Sequence, residues 1–573
     1  MTQLRSDTSA LKHQLSLFIQ RVMPATPVTT RALVHALIDA LESQHSHILI
    51  SPEQAQALET PAHVGLIGGP EANTPLVHQD NRLYLRRLFN LEKRVAQQLF
   101  GRNRLITNDL GSPYESSPSS SDLTAALSES QQQAVKTALR QQLTIISGGP
   151  GTGKTTVIRS IVSALNTLDS SLRIAITAPT GKATARLEES FRQDLGGRVD
   201  PEIKTIHRLL GYGTGNVPRF NQARRLLVDV LIADEASMID LSLADALFSA
   251  LPDTARVILV GDPDQLPSVN LGRLLTDITA PGADPSSTDH PGDASNLSSK
   301  PVLALAQCRL TENFRFTDGA RIDQLAQAIL SGEVALPDAG AGIETIAPEA
   351  LSDELLTAAF KGYFRALATP STPGELLTAF ESVRMLAPQY NGTLGVHDLN
   401  ARLERLMQQM GLLRRSRSPH YHGQPLLILK NDYQLGLYNG DVGICIDTDQ
   451  LDPSGPDFPE GARGLVAFFN AGHNQQPRRV AMTALPEHET CFAMTVHKAQ
   501  GSEFDHVLFI LPKALDDATR RTWSRELIYT GITRAKRRLT LVATPETWNL
   551  ASNNVFARRS GLAWQLRSLE TTL

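Results

Sequence analysis

Eight consecutive residues, Gly148-Gly149-Pro150-Gly151-Thr152-Gly153-Lys154-Thr155, fit the pattern G-x-x-x-x-G-K-[ST], and Thr156 follows. Glycines at these positions let the backbone wrap a phosphate and turn its N–H groups inward at the start of the next helix. Lys154 offers a point charge to β- and γ-phosphates, and the Thr155 hydroxyl is a ligand for Mg²⁺. The chemistry this implies is binding of a nucleoside triphosphate such as ATP. A glycine-rich surface turn would do none of this. The apolar run Leu143–Ser147 leads straight into the loop, which is the strand-then-helix context a phosphate loop needs.

Such a loop also needs a carboxylate on a neighbouring strand to hold Mg²⁺ through water. Leu231-Ile232-Ala233-Asp234-Glu235 supplies one, with Asp234 for the metal and Glu235 to orient and deprotonate an attacking water. Two acids after an apolar strand are usually a solvated strand end, and it is the loop that gives this pair its meaning. A further run, 256–260, leads into Gly261-Asp262-Pro263-Asp264-Gln265-Leu266-Pro267. Gln265 at that strand end can hydrogen-bond the γ-phosphate or the attacking water; taken alone, the segment reads as a proline-rich turn.

Short apolar runs at Leu143–Ser147, 172–178, 228–233 and 256–260 alternate with helical stretches, as buried parallel strands in βαβ units do. A second series follows at Val383–Ala387, 507–511 and 539–543. Between them, residues 423–485 run strand after strand with Gly, Asn and Asp turns, which predicts a small antiparallel sheet or barrel inserted in a second α/β domain. Residues 111–122 and 281–300 are Ser/Pro/Asp-rich and read as a linker and a flexible insertion. Before them, Leu33, Leu37 and Leu41, then Leu91, Val95 and Leu99, recur at helical spacing, so residues 1–110 are expected to be a helical N-terminal domain. The expected divisions are 1–110, a linker at 111–122, a first ATPase domain at 123–300 and a second at 301–573. At 573 residues, three or four domains of roughly 150 residues are in keeping with chain length.

Charge narrows the partners. Lys and Arg number 55 against 59 Asp and Glu, a net charge of -4, so nucleic acid cannot be gripped by blanket basicity and must be held by local groups. Cys308, Cys445 and Cys491 lie far apart and make no C-x-x-C pair, which argues against a zinc site or disulfide scaffold. No run approaches the 18 or so apolar residues of a membrane span, and the first residues lack a signal-peptide core, so a cytoplasmic protein is expected.

The order of these blocks resembles that of superfamily 1 helicases. Leu127-Ser128-Glu129-Ser130-Gln131 is similar to the Q motif, Ala178-Pro179-Thr180-Gly181-Lys182-Ala183 to motif Ia, Asp234-Glu235-Ala236-Ser237 to motif II and the segment 261–267 to motif III. Leu310-Thr311-Glu312-Asn313-Phe314-Arg315-Phe316 is similar to motif IV, the segment 493–503 to motif V and Tyr529-Thr530-Gly531-Ile532-Thr533-Arg534-Ala535 to motif VI. Narrower phrases, among them Thr205-Ile206-His207-Arg208-Leu209-Leu210 and Leu437-Tyr438-Asn439-Gly440-Asp441, resemble the RecD branch.

The resemblance implies an α/β fold of two RecA-like domains, the second carrying a small SH3-like β insertion. It implies that Gln131 reads the adenine edge, that Gly501 and Glu503 help bind ATP, and that Arg315 and Arg534 stabilise charge on the transferring phosphoryl group. Thr180 and Lys182 on one domain, and Thr495 and His497 on the other, would hold a single strand by its backbone. His497 as a satisfied core histidine is the competing reading. The clusters Arg414-Arg415-Ser416-Arg417 and Arg537-Arg538 are as well explained as solvated faces. The activity implied is an ATP-dependent 5′→3′ DNA helicase or translocase that acts with RecB-like and RecC-like partners on double-strand ends in recombinational repair. Nuclease activity would lie in the RecB-like partner, and residues 1–110 would dock on the RecC-like one. Two alternatives stand beside it: a self-sufficient RecD-like helicase, and a P-loop switch that controls partner docking without separating strands.

Overall fold

Strands of two to four residues occupy the N-terminal unit, where periodicity predicts helix alone. Helix α1 (Val28–Glu42) precedes β1 (His47–Leu49), β2 (Ile67–Gly68), β3 (Leu76–Gln79) and β4 (Arg82–Leu85), which form a sheet in the order β1-β4-β3-β2. Runs this short carry too few residues to show a two-residue period, so the expected helical domain is corrected to a mixed one. One signal was present: Asp80 and Asn81 join β3 to β4 with φ of 46° and 57°, the left-handed pair that a two-residue hairpin demands. Past a short helix at Pro52–Leu58, helix α2 (Arg86–Gly101) is the predicted one, and Leu91, Val95 and Leu99 are buried on it.

The computed structural model describes residues 27–58, 65–106, 127–194, 201–213, 217–279, 303–314, 320–332, 335–340, 342–369, 371–413, 418–432, 434–451, 464–470, 476–513, 523–555 and 558–571, with positions 14, 17 and 21. Both stretches read as linkers, 111–122 and 281–300, lie outside the described residues, as do Arg315 and the cluster 414–417.

Two parallel sheets carry the chemistry. The first comprises β5 (Leu143–Ser147), β6 (Ile174–Ala178), β7 (Glu202–Thr205), β8 (Val230–Ala233), β9 (Arg256–Gly261) and β10 (Gln307–Arg309), in the order β10-β5-β9-β8-β6-β7. Every pairing in it is parallel. The second places β11 (Ile343–Ile346), β12 (Val383–Ala387), β18 (Ala493–Thr495), β19 (Phe504–Ile510) and β20 (Ala535–Val542) in the order β11-β20-β19-β12-β18, again all parallel. Strands buried on both faces need continuous apolar sequence, and β6, β8, β9 and β12 have every residue buried. The fold is α/β with two RecA-like lobes.

An antiparallel sheet is inserted between β12 and β18. It consists of β13 (Gln424–Ile428), β14 (Val442–Asp447), β15 (Leu465–Phe469), β16 (Arg478–Ala481) and β17 (His488–Thr490), in the order β16-β15-β14-β13-β17. Alternation explains how both of its faces are apolar. Leu427, Ile444, Ile446, Val466 and Phe468 join the core of the second lobe, while Leu426, Ile428, Cys445, Ala467 and Phe469 form a separate small core.

The divisions drawn from sequence shift in two places. Strand β10 lies beyond residue 300 yet pairs with β5 in the first sheet. Leu91, Val95, Ala96 and Leu99 of α2, and Leu562 and Leu566 of the C-terminal helix α8 (Leu562–Thr571), share one core with Leu243 and Leu247 of the first lobe. Arg94 grips Asp245 with two guanidinium nitrogens, at 2.7 and 3.1 Å. So the N-terminal unit and the C-terminus are built into the first lobe. A composition-based linker cannot reveal this, because the contacts are long-range. Among the described residues no helix is long and apolar enough to cross a membrane.

Glu92 marks this junction. It is fully buried, accepts from the Ser560 hydroxyl and the Gly561 N–H, and faces Ser46 and Asp277. Burial pushes its carboxyl from 4.5 up to about 7, so the folded state keeps a proton that the unfolded chain has released. Stability from this group is therefore full below about pH 4.5 and is lost as pH rises to about 7. Melting temperature measured across that window should fall in the wild type, and Glu92→Gln should flatten its slope. An unchanged slope in the variant would contradict the assignment.

Candidate functional site

The phosphate loop emerges from the C-terminal end of β5 and closes onto helix α4 (Lys154–Leu168). Gly151 and Gly153 sit at φ +81° and +80°, a backbone that side chains rarely adopt, and a Cβ on Gly153 would run into the Gln131 amide. Lys154 Nζ donates to the carbonyls of Gly148 and Gly149 at 2.7 and 2.9 Å, so its ammonium lies folded over the loop. Thr152 Oγ1 donates to Gly149 O at 2.9 Å. Thr155 and Thr156 stand half-buried on the first turn of α4.

Gln131 lies beneath the loop. Its Nε2 donates to Thr152 O at 3.0 Å, and its Oε1 accepts from the Ser128 N–H that begins helix α3 (Glu129–Arg140). Being 3% exposed, it acts as a strut that fixes the loop to α3. Against the same loop, Phe314 N donates to Gly151 O at 2.9 Å and Asn313 Nδ2 to Pro150 O at 3.1 Å. The Phe314 ring is 58% exposed and passes 3.8 Å from an ideal Cβ on Gly153. Sequence reasoning named the arginine next to it and missed this ring. An exposed aromatic within a phosphate-loop motif was the available signal.

Asp234 directly follows β8, and Glu235 comes next at φ +52°, a left-handed conformation that costs about 1–2 kcal/mol in a residue other than glycine. A carboxylate held there by its surroundings is one whose direction matters. Burial and the Glu235 charge push the Asp234 carboxyl up, and the nearby Lys154 pulls it back down. Lys154, Asp234 and Glu235 are therefore neighbours across β5 and β8. The donor set, a threonine hydroxyl with hard carboxylate oxygens, suits Mg²⁺.

Gln265 is 4% exposed and lies in the turn after β9. Its Nε2 donates to Asp262 Oδ2 at 2.9 Å, and the Tyr529 hydroxyl donates to the same oxygen at 3.1 Å. Tyr529 belongs to helix α7 (Arg525–Ile532) of the second lobe. Two further bonds cross there: Leu266 N to Thr530 Oγ1, and Gln500 Nε2 to Leu266 O, each 2.8 Å. A cleft lined by Asp264, Gln265, Arg525 and Glu526 opens beside this seam. Asp262, Gln500, Tyr529 and Thr530 were not singled out from sequence, because nothing in their spacing separates them from structural polar residues.

Arg534 is 3% exposed, its guanidinium donating to Thr530 O at 2.9 Å, Thr533 Oγ1 at 3.3 Å and Ser502 O at 3.4 Å. It lies near enough to Tyr529 to act on its hydroxyl electrostatically. Gly501 comes within 3.9 Å of Thr180 Oγ1, measured from an ideal Cβ, so motifs Ia and V meet across the lobes. Thr180 Oγ1 accepts from Ala183 N and Thr495 Oγ1 from Lys498 N, each at 3.3 Å. Glu503 is half-buried, next to β19.

Lys182 faces Arg186, Glu381, Arg384 and Asp441, and burial pushes its ammonium down to about 8. His497 is pushed down to about 4 by burial with Arg558 nearby, so its imidazole is neutral at pH 7. Close by, a Cβ on Gly181 would overlap the Tyr438 ring of the inserted sheet, whose hydroxyl accepts from Arg208 Nη1 at 3.1 Å. Among the described residues no group of three or more His, Cys, Asp or Glu could hold a metal by itself.

Residues 131–271 match the AAA domain family, and residues 490–542 match the UvrD-like helicase C-terminal domain. The RecBCD enzyme subunit RecD of Haemophilus influenzae is 32% identical over 77% of this chain and 72% of its own length. The RecD subunit of Mycobacterium tuberculosis is 33% identical over 87% of this chain and 82% of its own. The ATP-dependent RecD2 DNA helicase of Deinococcus radiodurans is 29% identical over 91% of this chain and 64% of its own. With relatives this similar over most of both chains, and with the phosphate loop, Asp234 and the second-lobe motifs gathered at one seam, the chain belongs to the RecD family of ATP-dependent DNA helicases.

Proposed function

We propose that the chain is the 5′→3′ motor of a RecBCD-type assembly, hydrolysing ATP between its two lobes to draw one DNA strand through. The observation that carries this is the seam itself, where the loop of the first lobe, the Gln265 turn and helix α7 of the second lobe meet around Asp262. Lys154 leaves the Gly148 and Gly149 carbonyls to meet the β- and γ-phosphates, and the loop N–H groups take the remaining oxygens. Thr155 and Asp234 would hold Mg²⁺, which draws negative charge off the phosphates when bound. Glu235 orients the attacking water and takes its proton. Phe314 offers its ring face to the base of the nucleotide, while Gln131 supports the loop from below and reaches the adenine edge only through what its amide has to spare.

Arg534 supplies positive charge as the lobes close, and its tie to Thr530 couples that charge to the Gln265 turn. Arg315, outside the described residues, is assigned the same task, and Gly501 and Glu503 border the site from motif V. For DNA, Lys182 pairs with a backbone phosphate, and Thr180, Thr495 and neutral His497 offer hydrogen bonds to others. RecB-like and RecC-like partners follow from the names of the RecD relatives. Nuclease activity in the RecB-like partner and double-strand ends as the substrate of the complex are carried only by the motif resemblance. The docking face we assign to the RecC-like partner is α1 with the four-stranded sheet, since α2 is committed to the first lobe. A cytoplasmic location fits this work.

Two measurements test the reading. Lys154→Ala should abolish ATP hydrolysis with little change in melting temperature, because the side chain makes only loop contacts; normal turnover in a folded variant would overturn the site. DNA binding should weaken as pH rises from about 7 to 9, because Lys182 loses its charge near 8 and a bound phosphate favours the charged form. Lys182→Met should lower affinity for oligothymidine and remove that part of the pH dependence. An identical pH profile in the variant would exclude the phosphate contact.

A further inference from the structure

Tyr529 has a task that the residues of the hydrolytic set do not perform. Its side chain is 2% exposed, and its hydroxyl donates to Asp262 Oδ2. The Asp262 carboxylate, 1% exposed, is completed by Gln265 Nε2 on that same oxygen and by Asp264 N–H on Oδ1 at 3.1 Å. An ideal Cβ on Gly149 would stand 3.0 Å from the Tyr529 oxygen, so the hydroxyl also rests against the phosphate loop. Three parts thus converge on one O–H: the loop, the Gln265 turn and a helix of the second lobe. Burial and the charges of Asp262 and Asp264 keep the phenol protonated, and so a donor, throughout the working pH range.

Resting on the site reading above, we propose that Tyr529 is a positioning residue that carries the state of the second lobe to Gln265 through Asp262. With Nε2 held by Asp262, the Gln265 amide has one orientation and its Oε1 is the atom left to accept from water. The grip of Asp262 depends in turn on the hydroxyl that pins its carboxylate, since a carboxylate 1% exposed has no bulk water to replace a lost donor. Movement of α7 when DNA spans the lobes therefore moves Asp262, and Asp262 moves Gln265. Leu266, held by Thr530 and Gln500 of the second lobe, makes the turn follow as a unit. DNA stimulation of ATP turnover passes through this hydroxyl; basal turnover and nucleotide affinity do not.

The test uses the full chain, oligothymidine as the single strand and Tyr529→Phe, which keeps the ring and removes only the donor. Binding of a fluorescent ATP analogue, the KM for ATP and turnover without DNA should stay within about twofold of wild type. Maximal turnover with oligothymidine should fall about tenfold or more, the scale of one lost hydrogen bond to a charged group. Asp262→Asn, which replaces one acceptor oxygen by a donor, should lose stimulation to a similar degree. The double variant should be no worse than Asp262→Asn alone, because the two side chains act in one path. Equal falls with and without DNA, a loss of ATP affinity alone, unchanged stimulation in Tyr529→Phe, or additive losses in the double variant would each overturn the proposal. Lys154→Ala run in parallel separates the two failures: if it is inactive while Tyr529→Phe stimulates normally, only the Tyr529 role is wrong.

Discussion

A site divided between two lobes responds to DNA only if something fixes the geometry across the gap, and here that constraint is the buried Asp262 carboxylate. It accepts from its own turn, from Gln265 and from Tyr529 of the facing lobe. A buried charge left short of donors is costly, on the order of 1–3 kcal/mol for each missing bond and more for an ion, so the seam favours arrangements that keep all three. The parallel sheets exist to deliver these groups. Strands β5, β8 and β9 end in the phosphate loop, the Asp234-Glu235 pair and the Asp262 turn, side by side in one sheet. Ligands of open α/β sheets bind at strand C-terminal ends, and the second sheet turns α7 toward the same crevice.

Local electrostatics resolve the puzzle set by a chain of net charge -4 that handles DNA. The groups proposed to face the strand are few, and each is tuned by its surroundings. Lys182 lies in a half-buried niche with Glu381 and Asp441 offsetting Arg186 and Arg384. His497 is neutral. As proposed, a grip made of one cation, two hydroxyls and a neutral imidazole would release readily, as a translocating motor requires, whereas a uniformly basic groove would hold its strand too tightly and too sensitively to salt. Tyr438 packs from the inserted sheet onto motif Ia, so the insertion adjoins the residues proposed to hold the strand.

The parallel cores and the phosphate loop were legible in the sequence because their physics is local. β5, β8, β9 and β12 are runs of buried apolar residues, and the loop is a contiguous pattern with one purpose. The inserted sheet was legible through its turns. What escaped was either short or long-range. β7, β10 and β1 to β4 have too few residues to show a period. The packing of α2 and α8 into the first lobe depends on contacts between residues hundreds of positions apart, such as Leu91 and Leu562. At the site, Gln131 was found by its motif, yet its amide proved to be bound to Thr152 O, which no spacing could reveal. Tyr529 stands within a motif that assigns it no role, since a phenol in sequence is simply core until Asp262 is found beside it.

The central claim is that ATP and a single strand draw the two lobes together across the Asp262 seam. The three native cysteines are buried, so Ser170→Cys on the first lobe and Glu349→Cys on the second, both exposed, offer clean positions for a donor and acceptor dye. Energy transfer between them, recorded as a non-hydrolysable ATP analogue and oligothymidine are added together, reads the closure directly. The account predicts a change to a shorter distance that reverts when ADP replaces the analogue. A distance that is the same with and without both ligands would contradict it.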